Sequence, residues 1–263
     1  NNEEDIYSNI SIRGNSAANF RMNIDGVSGN NQNNVFIPKN DSIFIFIEVT
    51  VDPSSNTTPY ILSDSLLFET GSNLQSVKLV AWGQDAHFYT PNTFGEIING
   101  NDTTKVFYHQ ISSNQTWSNE KPHVIYGYVI IDPNATLNIS EGTNVYFHKS
   151  SGILVGNPFS NQLGGTLKVN GNYENEVTFQ GDRLDPWYED IPGQWDRIRF
   201  LPGSFDNEIN YAIIKNGTTG IHADTVSNSN PTVTINNTII KNMSSIGILG
   251  QGAKIEASNT VVS

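Results

Sequence analysis

Two octapeptides near the C-terminal end, Ile209-Asn-Tyr-Ala-Ile-Ile-Lys-Asn216 and Ile235-Asn-Asn-Thr-Ile-Ile-Lys-Asn242, agree at every place but the third and fourth. The octapeptides are offset by 26 residues, and each is followed by a Gly-Ile pair, Gly220-Ile221 and Gly247-Ile248. A weaker copy, Asn259-Thr-Val-Val-Ser263, sets Val261 against Ile239 at an offset of 22. A period between about twenty and fifty residues belongs to chains that stack one supersecondary unit on the next, because a single unit cannot bury its own apolar face. The structural repeat positions are thus Ile209, Ile213, Asn216, Ile235, Ile239, Asn242 and Val261, with Ile213 expected at an inward rung so that Ile213→Asp would bury a charge.

Composition narrows what the stacked unit is. Asn, Ser, Thr, Gly, Ile and Val dominate, and no amphipathic helical window interrupts them, so the chain reads as all-β. In 263 residues there is no cysteine, which removes disulfides, thiolate nucleophiles and cysteine-based zinc sites. Lys and Arg total 14 against 26 Asp and Glu, a net charge of -12 that repels a phosphate backbone and argues against nucleic acid. The acids are dispersed, which keeps the surface solvated. No apolar run reaches the length of a membrane helix.

In chain order, residues 1–19 are polar and read as a flexible tether or an irregular lead strand. Residues 20–90 carry short strand signals at roughly ten-residue spacing, as in a β-sandwich. The richest run, Ser42-Ile-Phe-Ile-Phe-Ile-Glu-Val-Thr-Val51, is expected to be a central strand buried on both faces. Residues 91–122 read as a connecting segment, with the domain boundary near 115–122. From 123 to 263 short apolar strands alternate with Gly, Asn or Pro, and Leu137 and Val145 recur as Leu167 and Val177 roughly thirty residues on. Three short strands per turn, stacked in parallel, describe a right-handed parallel β-helix. The last copy stops half a coil in, so the helix is expected to be truncated at its C-terminal end, without a cap.

Two stretches resemble known proteins. Gln75-Ser-Val-Lys-Leu-Val-Ala-Trp-Gly83 resembles the last strand of Ig-like sandwich domains found beside repeats in bacterial surface proteins. Thr136-Leu-Asn-Ile-Ser-Glu-Gly-Thr-Asn-Val-Tyr-Phe147, Gly165-Thr-Leu-Lys-Val-Asn-Gly171, Glu176-Val-Thr-Phe179, Gly193-Gln-Trp-Asp-Arg-Ile-Arg-Phe200 and the Ile-Ile-Lys-Asn repeat resemble the first coils of pectin-lyase-like β-helices among Bacteroidota outer-membrane lipoproteins. That resemblance implies an N-terminal Ig-like β-sandwich followed by a right-handed parallel β-helix, held at the cell surface by a lipid on a Cys that this sequence does not contain. Asn1-Asn-Glu-Glu-Asp5 would be the acidic stretch that follows such a Cys. It also implies O-glycosylation where Asp precedes Ser or Thr, at Ser42, Ser65, Thr103 and Thr225. The lyases of this fold use a Ca²⁺ cluster of acids with a basic residue, which the Asn, Thr and Lys of the repeats do not reproduce.

One loop stands out chemically. Gly181-Asp-Arg-Leu-Asp-Pro-Trp-Tyr-Glu-Asp-Ile-Pro-Gly193 gathers Asp182, Arg183, Asp185, Trp187, Tyr188, Glu189 and Asp190 as a possible ligand or partner loop. An aromatic pair beside acids and an Arg suits a sugar or a protein surface, while the simpler reading is a lid over an apolar corner. With Asp196, these carboxylates are also the candidates for glycoside hydrolysis, which needs two acids about 5–10 Å apart. The asparagines Asn210, Asn216, Asn236 and Asn242 suit left-handed coil corners and stacked ladders. The five histidines, His87, His109, His123, His148 and His222, show no metal-ligand spacing, and His87 and His148 read as packed. No catalytic residue, cofactor site or metal site is assigned. The chain reads as a non-catalytic scaffold at the outer-membrane surface, an accessory subunit bound to other outer-membrane proteins. The alternatives are a cell-surface glycan-binding protein and a polysaccharide lyase or hydrolase with its groove on later coils.

Overall fold

A computed structural model describes residues 3–14, 19–50, 60–83, 85–100, 102–224 and 230–263. They are built from strands, with one 3-10 turn and no α-helix among the described residues. The chain divides into two compact units, Asn1–Asp85 and Ala86–Ser263.

The first unit comprises β1 (Ile6–Ile12), β2 (Phe20–Ile24), β3 (Val27–Gly29), β4 (Asn31–Ile37), β5 (Ile45–Val49), β6 (Tyr60–Thr70) and β7 (Asn73–Gly83). One antiparallel sheet has the order β4-β1-β6-β7, the other β3-β2-β5. Ile10, Ile12, Val35 and Leu66 of the first share one core with Phe20, Met22 and Ile24 of the second. Residues 6–12 are therefore a sheet strand with a register shift between Ser8 and Ile10, as in the irregular lead strand, and not the tether, of the two readings of 1–19. Ser8, Ile10 and Ile12 alternate inward, but Asn9 and Ser11 between them conceal the pattern in a polar stretch. The Ser42–Val51 run also departs from expectation. Its strand, β5, lies at the edge of its sheet with most of its residues exposed, and residue 51 lies outside the described residues. β-branched and aromatic residues favour an extended backbone but do not say how many neighbours the strand has.

The second unit opens with β8 (His87–Tyr89), β9 (Thr93–Asn99), β10 (Asp102–Ile111) and β11 (Gln115–Trp117). Three-strand coils follow: β12 (His123–Ile125), β13 (Tyr128–Ile131) and β14 (Thr136–Ser140), then β15 (Asn144–Phe147), β16 (Gly152–Val155) and β17 (Thr166–Asn170). Next come β18 (Val177–Gly181), β19 (Ile198–Phe200) and β20 (Asn207–Asn210), then β21 (Ala212–Lys215), β22 (Thr219–Asp224) and β23 (Val233–Asn236). The series closes with β24 (Ile239–Lys241), β25 (Ile246–Gln251), β26 (Ile255–Ser258) and β27 (Val261–Val262). From β10 on every third strand pairs in parallel, and β8 pairs in parallel with β12, giving the sheets β8-β12-β15-β18-β21-β24-β27, β10-β13-β16-β19-β22-β25 and β11-β14-β17-β20-β23-β26, with β9 antiparallel at the edge of the second. Parallel stacks with this connectivity are compatible with a β-helix.

Side chains stack by rank between the sheets. Val129, Ile153, Ile198, Ile221 and Ile248 form one column, and Val145, Phe179, Ile214, Ile240 and Val262 another. The two octapeptides lie directly over each other, with Ile209 against Ile235 and Lys215 against Lys241. The inward residues of each pair are Ile214 and Ile240, both fully buried, which corrects the expectation that Ile213 points inward. Ile213 sits in the outward column with Thr178, Ile239 and Val261, where Ile239 is 41% exposed. The corner before β21 holds Tyr211 at φ 47, so the inward parity of β20 does not carry across it.

The coils also begin earlier than the boundary near 115–122. β8, β10 and β11 already pair in parallel with β12, β13 and β14, so much of the expected connecting segment 91–122 belongs to the stack. Among the described residues of this segment Gly95, Tyr108, Ile111, Trp117 and Pro122 are buried, and the exposed half of β10 gives the sequence a loop-like polarity.

Candidate recognition site at a coil corner

Chain passes from the first sheet to the second at one corner of each coil. Most of these corners are short, with Asn216 and Asn242 at φ 67 and 55, a left-handed conformation that Asn tolerates. Asn210 and Asn236 lie in strands instead, and it is Tyr211 and Asn237 after them that turn left-handed. Between β18 and β19 the corner expands into the loop that carries Asp182, Arg183, Asp185, Trp187, Tyr188, Glu189 and Asp190.

Pro186, with its fixed φ, starts a 3-10 turn over Pro186–Tyr188 after Asp185. Side-chain amides of the coils hold the backbone on the C-terminal side of this turn. Gln194 Nε2 donates to the carbonyls of Tyr188 and Ile191, each at 2.7 Å, and the buried Asn216 donates to the Glu189 carbonyl at 2.8 Å. Asn242 Nδ2 donates to Asp190 Oδ1 at 3.0 Å, so both repeat asparagines reach the loop. Gly181 leaves room for the Gln194 side chain, which a Cβ there would strike. The Arg183 guanidinium lies 4.1 Å above the Tyr188 ring and its Nε is 3.5 Å from Asp185 Oδ2. Trp187, at the tip, is 82% exposed.

Asp182 points to a different neighbour. Its Oδ2 is 2.7 Å from His148 Nδ1, and the His148 ring stacks on Tyr126 with centroids 4.8 Å apart. Burial first, and then the Asp182 charge, raise the Tyr126 phenol above its usual value. His148 is half exposed, so the expectation of a packed histidine holds only for its ring face.

Beyond the loop, the outer side of the second sheet carries a polar network not identified from the sequence. Asp196 accepts from the Tyr128 hydroxyl and, at 2.9 Å, from Arg197 Nε. Arg197 Nη1 donates to His222 Nδ1 at 3.1 Å, which leaves the proton on Nε2, facing Gln251 Oε1 at 2.7 Å and Asp224 Oδ1 at 3.2 Å. Arg199 Nε donates to Asp224 Oδ2 at 2.9 Å. Burial, reinforced by the bond to Asp196, raises the Tyr128 phenol. The legible signal was the period of two in Arg197-Ile-Arg199 and His222-Ala-Asp224, with apolar residues inward and charged ones outward.

Three of the five carboxylates considered for hydrolysis face basic or phenolic partners, Asp182 with His148, Asp185 with Arg183, and Asp196 with Tyr128 and Arg197, while Asp190 accepts from the Asn242 amide. Among the described residues no group of three His, Asp or Glu side chains is arranged to hold a metal ion. Of the modification candidates, Ser42 is exposed before β5, Ser65 lies half-buried in β6, and Thr103 is exposed in β10 instead of in a connection. Thr225 lies outside the described residues. Comparison of the chain with protein families, curated proteins and solved structures finds no match.

Proposed function

We propose that this chain is a non-catalytic recognition scaffold whose contact point is the loop between β18 and β19. The observation that carries the reading is Trp187, 82% exposed on a loop held by Gln194, Asn216 and Asn242. A large indole presented on a restrained backbone loses little conformational entropy on binding, which is the character of an interface anchor. The partner class we favour is another outer-membrane protein, with this chain as an accessory subunit at the cell surface. That placement, the lipid anchor and the right-handed hand of the coils rest on the resemblance to Bacteroidota lipoproteins. For the N-terminal unit we retain a sandwich architecture in the Ig-like sense, although the order β4-β1-β6-β7 differs from that of immunoglobulin domains.

Isolation of the protein from native membranes in mild detergent tests the reading. A stoichiometric outer-membrane protein should accompany the wild type and be lost with Trp187→Ala, while the melting temperature of the variant stays unchanged. Co-purification that is indifferent to Trp187→Ala would move the contact elsewhere. Glycan binding is the second reading, favoured by the Tyr126–His148 stack with Asp182 beside it. Retention on a polysaccharide affinity gel, lost with Tyr126→Ala and without depolymerisation, would select it.

A further inference from the structure

Among the described residues the edge strands of the N-terminal unit are β3, β4, β5 and β7, and they are not guarded alike. β3 has only three residues. β4 shifts register opposite Ser8 and Ile10 and holds Asn34 at φ 59, and β7 presents an exposed Lys78. Short length, bulges and lysines are the usual means of preventing edge-to-edge pairing. β5 has no bulge and no lysine, and its one charge is the exposed Glu48. It reads Ile45-Phe-Ile-Glu-Val49 after Phe44, and among the described residues it pairs with β2 alone. Phe44 is 77% and Phe46 69% exposed on one side. On the other side Ile45, Ile47 and Val49 stand opposite the buried Ile24, Met22 and Phe20, yet remain incompletely covered. An open recess of about 540 Å³ beside Ile45 is lined by Ile6, Ile37, Ile43, Leu66 and Phe68, with Asp41 and Ser42 at the same recess.

A strand edge that no described residue pairs is satisfied by water or by another strand, and its apolar flanks favour a strand. We propose that β5 pairs antiparallel with β5 of a second copy of this chain, about a two-fold axis through Ile47. In that register Ile45 faces Val49 and Ile47 faces its own mate, so every core-side residue meets a core-side residue. On the outer side Phe46 faces Glu48, and no two carboxylates oppose each other. Centring the pair on Glu48 would oppose two carboxylates, and centring it on Phe46 would carry Val49 past the start of β5. A slip of one residue would set core-side against solvent-side residues. So short a pairing falls below the roughly 1,200–2,000 Å² of stable interfaces, which makes the association reversible and concentration-dependent.

The absence of cysteine in the chain makes the register directly testable. Residues opposite each other in an antiparallel pair bring their Cβ atoms within about 4.5–5.5 Å, close to disulfide reach. Ile47→Cys should give a covalent dimer on mild oxidation, and Ser28→Cys on β3 should not. Sedimentation equilibrium of the whole chain should show monomer passing to dimer between about 10 μM and about 1 mM. Ile47→Lys, which sets two ammonium groups on the axis, should abolish the dimer. Phe46→Lys should retain it and make it salt-sensitive, because the introduced lysine faces Glu48 of the second copy. Circular dichroism confirms that each variant is folded. A monomer throughout the concentration range, equal cross-linking from positions 28 and 47, or a dimer that survives Ile47→Lys would overturn the proposal, whatever other strand then proves to occupy the edge.

Discussion

Asn216 combines a backbone role with a side-chain role, and the two are separable. Its φ of 67 is a conformation that Gly adopts freely and Ala does not, while its amide donates to the Glu189 carbonyl. Asn216→Gly removes the amide alone and should cost about 1 kcal/mol in urea unfolding, whereas Asn216→Ala should cost about 1–2 kcal/mol more. Equal costs for the two variants would show that backbone strain is not part of the role of Asn216. His123 offers a pH-dependent counterpart. It is buried between His87 and Trp117, its Nε2 donates to the Ser118 carbonyl and its Nδ1 accepts from the Tyr89 hydroxyl. Burial lowers it from 6.5 to about 4, a shift opposed by the Ser118 bond and aided by His87. A histidine held below its unfolded value takes up protons more readily in the unfolded chain. Its contribution is therefore complete above about pH 6.5 and is lost as pH falls toward about 4, by order 1–3 kcal/mol. Unfolding midpoints measured at pH 7 and pH 5 should differ accordingly, and His123→Gln should reduce that difference.

At the scale of the strand, the outcome turns on which face a residue occupies. Ile214 belongs to the column of Phe179 and Ile240, so Ile214→Ala should cost about 2–5 kcal/mol through the cavity it leaves. Ile213→Asp, one residue earlier but outward, should cost about 1 kcal/mol or less, the scale of strand propensity. Chemical denaturation of the two variants compares them directly, and a reversed order would invert the assigned faces. The sequence made the repeat and its spacing legible, because Ile209–Asn216 and Ile235–Asn242 are the same rung written twice. It did not make the facing legible, since the left-handed Tyr211 intervenes and either isoleucine of the pair then satisfies an alternating pattern. Neighbours were equally hidden. Nothing local to β5 states that β2 pairs with it on one side only, and nothing in Ile6–Ile12 states that β6 will adopt it. The loop was visible as a concentration of acids and aromatics, but its anchors, Asn216 and Asn242, come from later coils. The Arg197–His222–Asp224 network similarly joins residues from two coils.

Across the whole molecule, the two units have separate cores, one built from Ile10, Met22 and Leu66 and the other running from Ile111 to Ile240. In the second, each strand bonds to its equivalents above and below, so stability should follow nearest-neighbour coupling along the stack. Side-chain ladders reinforce that coupling, with Asn236 donating to Asn210 at 3.0 Å, Asn259 to Asn237 at 3.1 Å, and Arg199 reaching Asp224 on the next coil. A cavity at Ile240 should then be felt unevenly. Ile240→Ala should lower amide hydrogen-exchange protection most in β21, β24 and β27, whose residues share its column, with the effect fading toward β15 and β12. Protection at Ile10 and Met22, in the other core, should remain at the wild-type level. A uniform loss across β12 to β27 would show the coils to unfold as one cooperative block, and a loss extending to Met22 would show the two cores to be energetically joined.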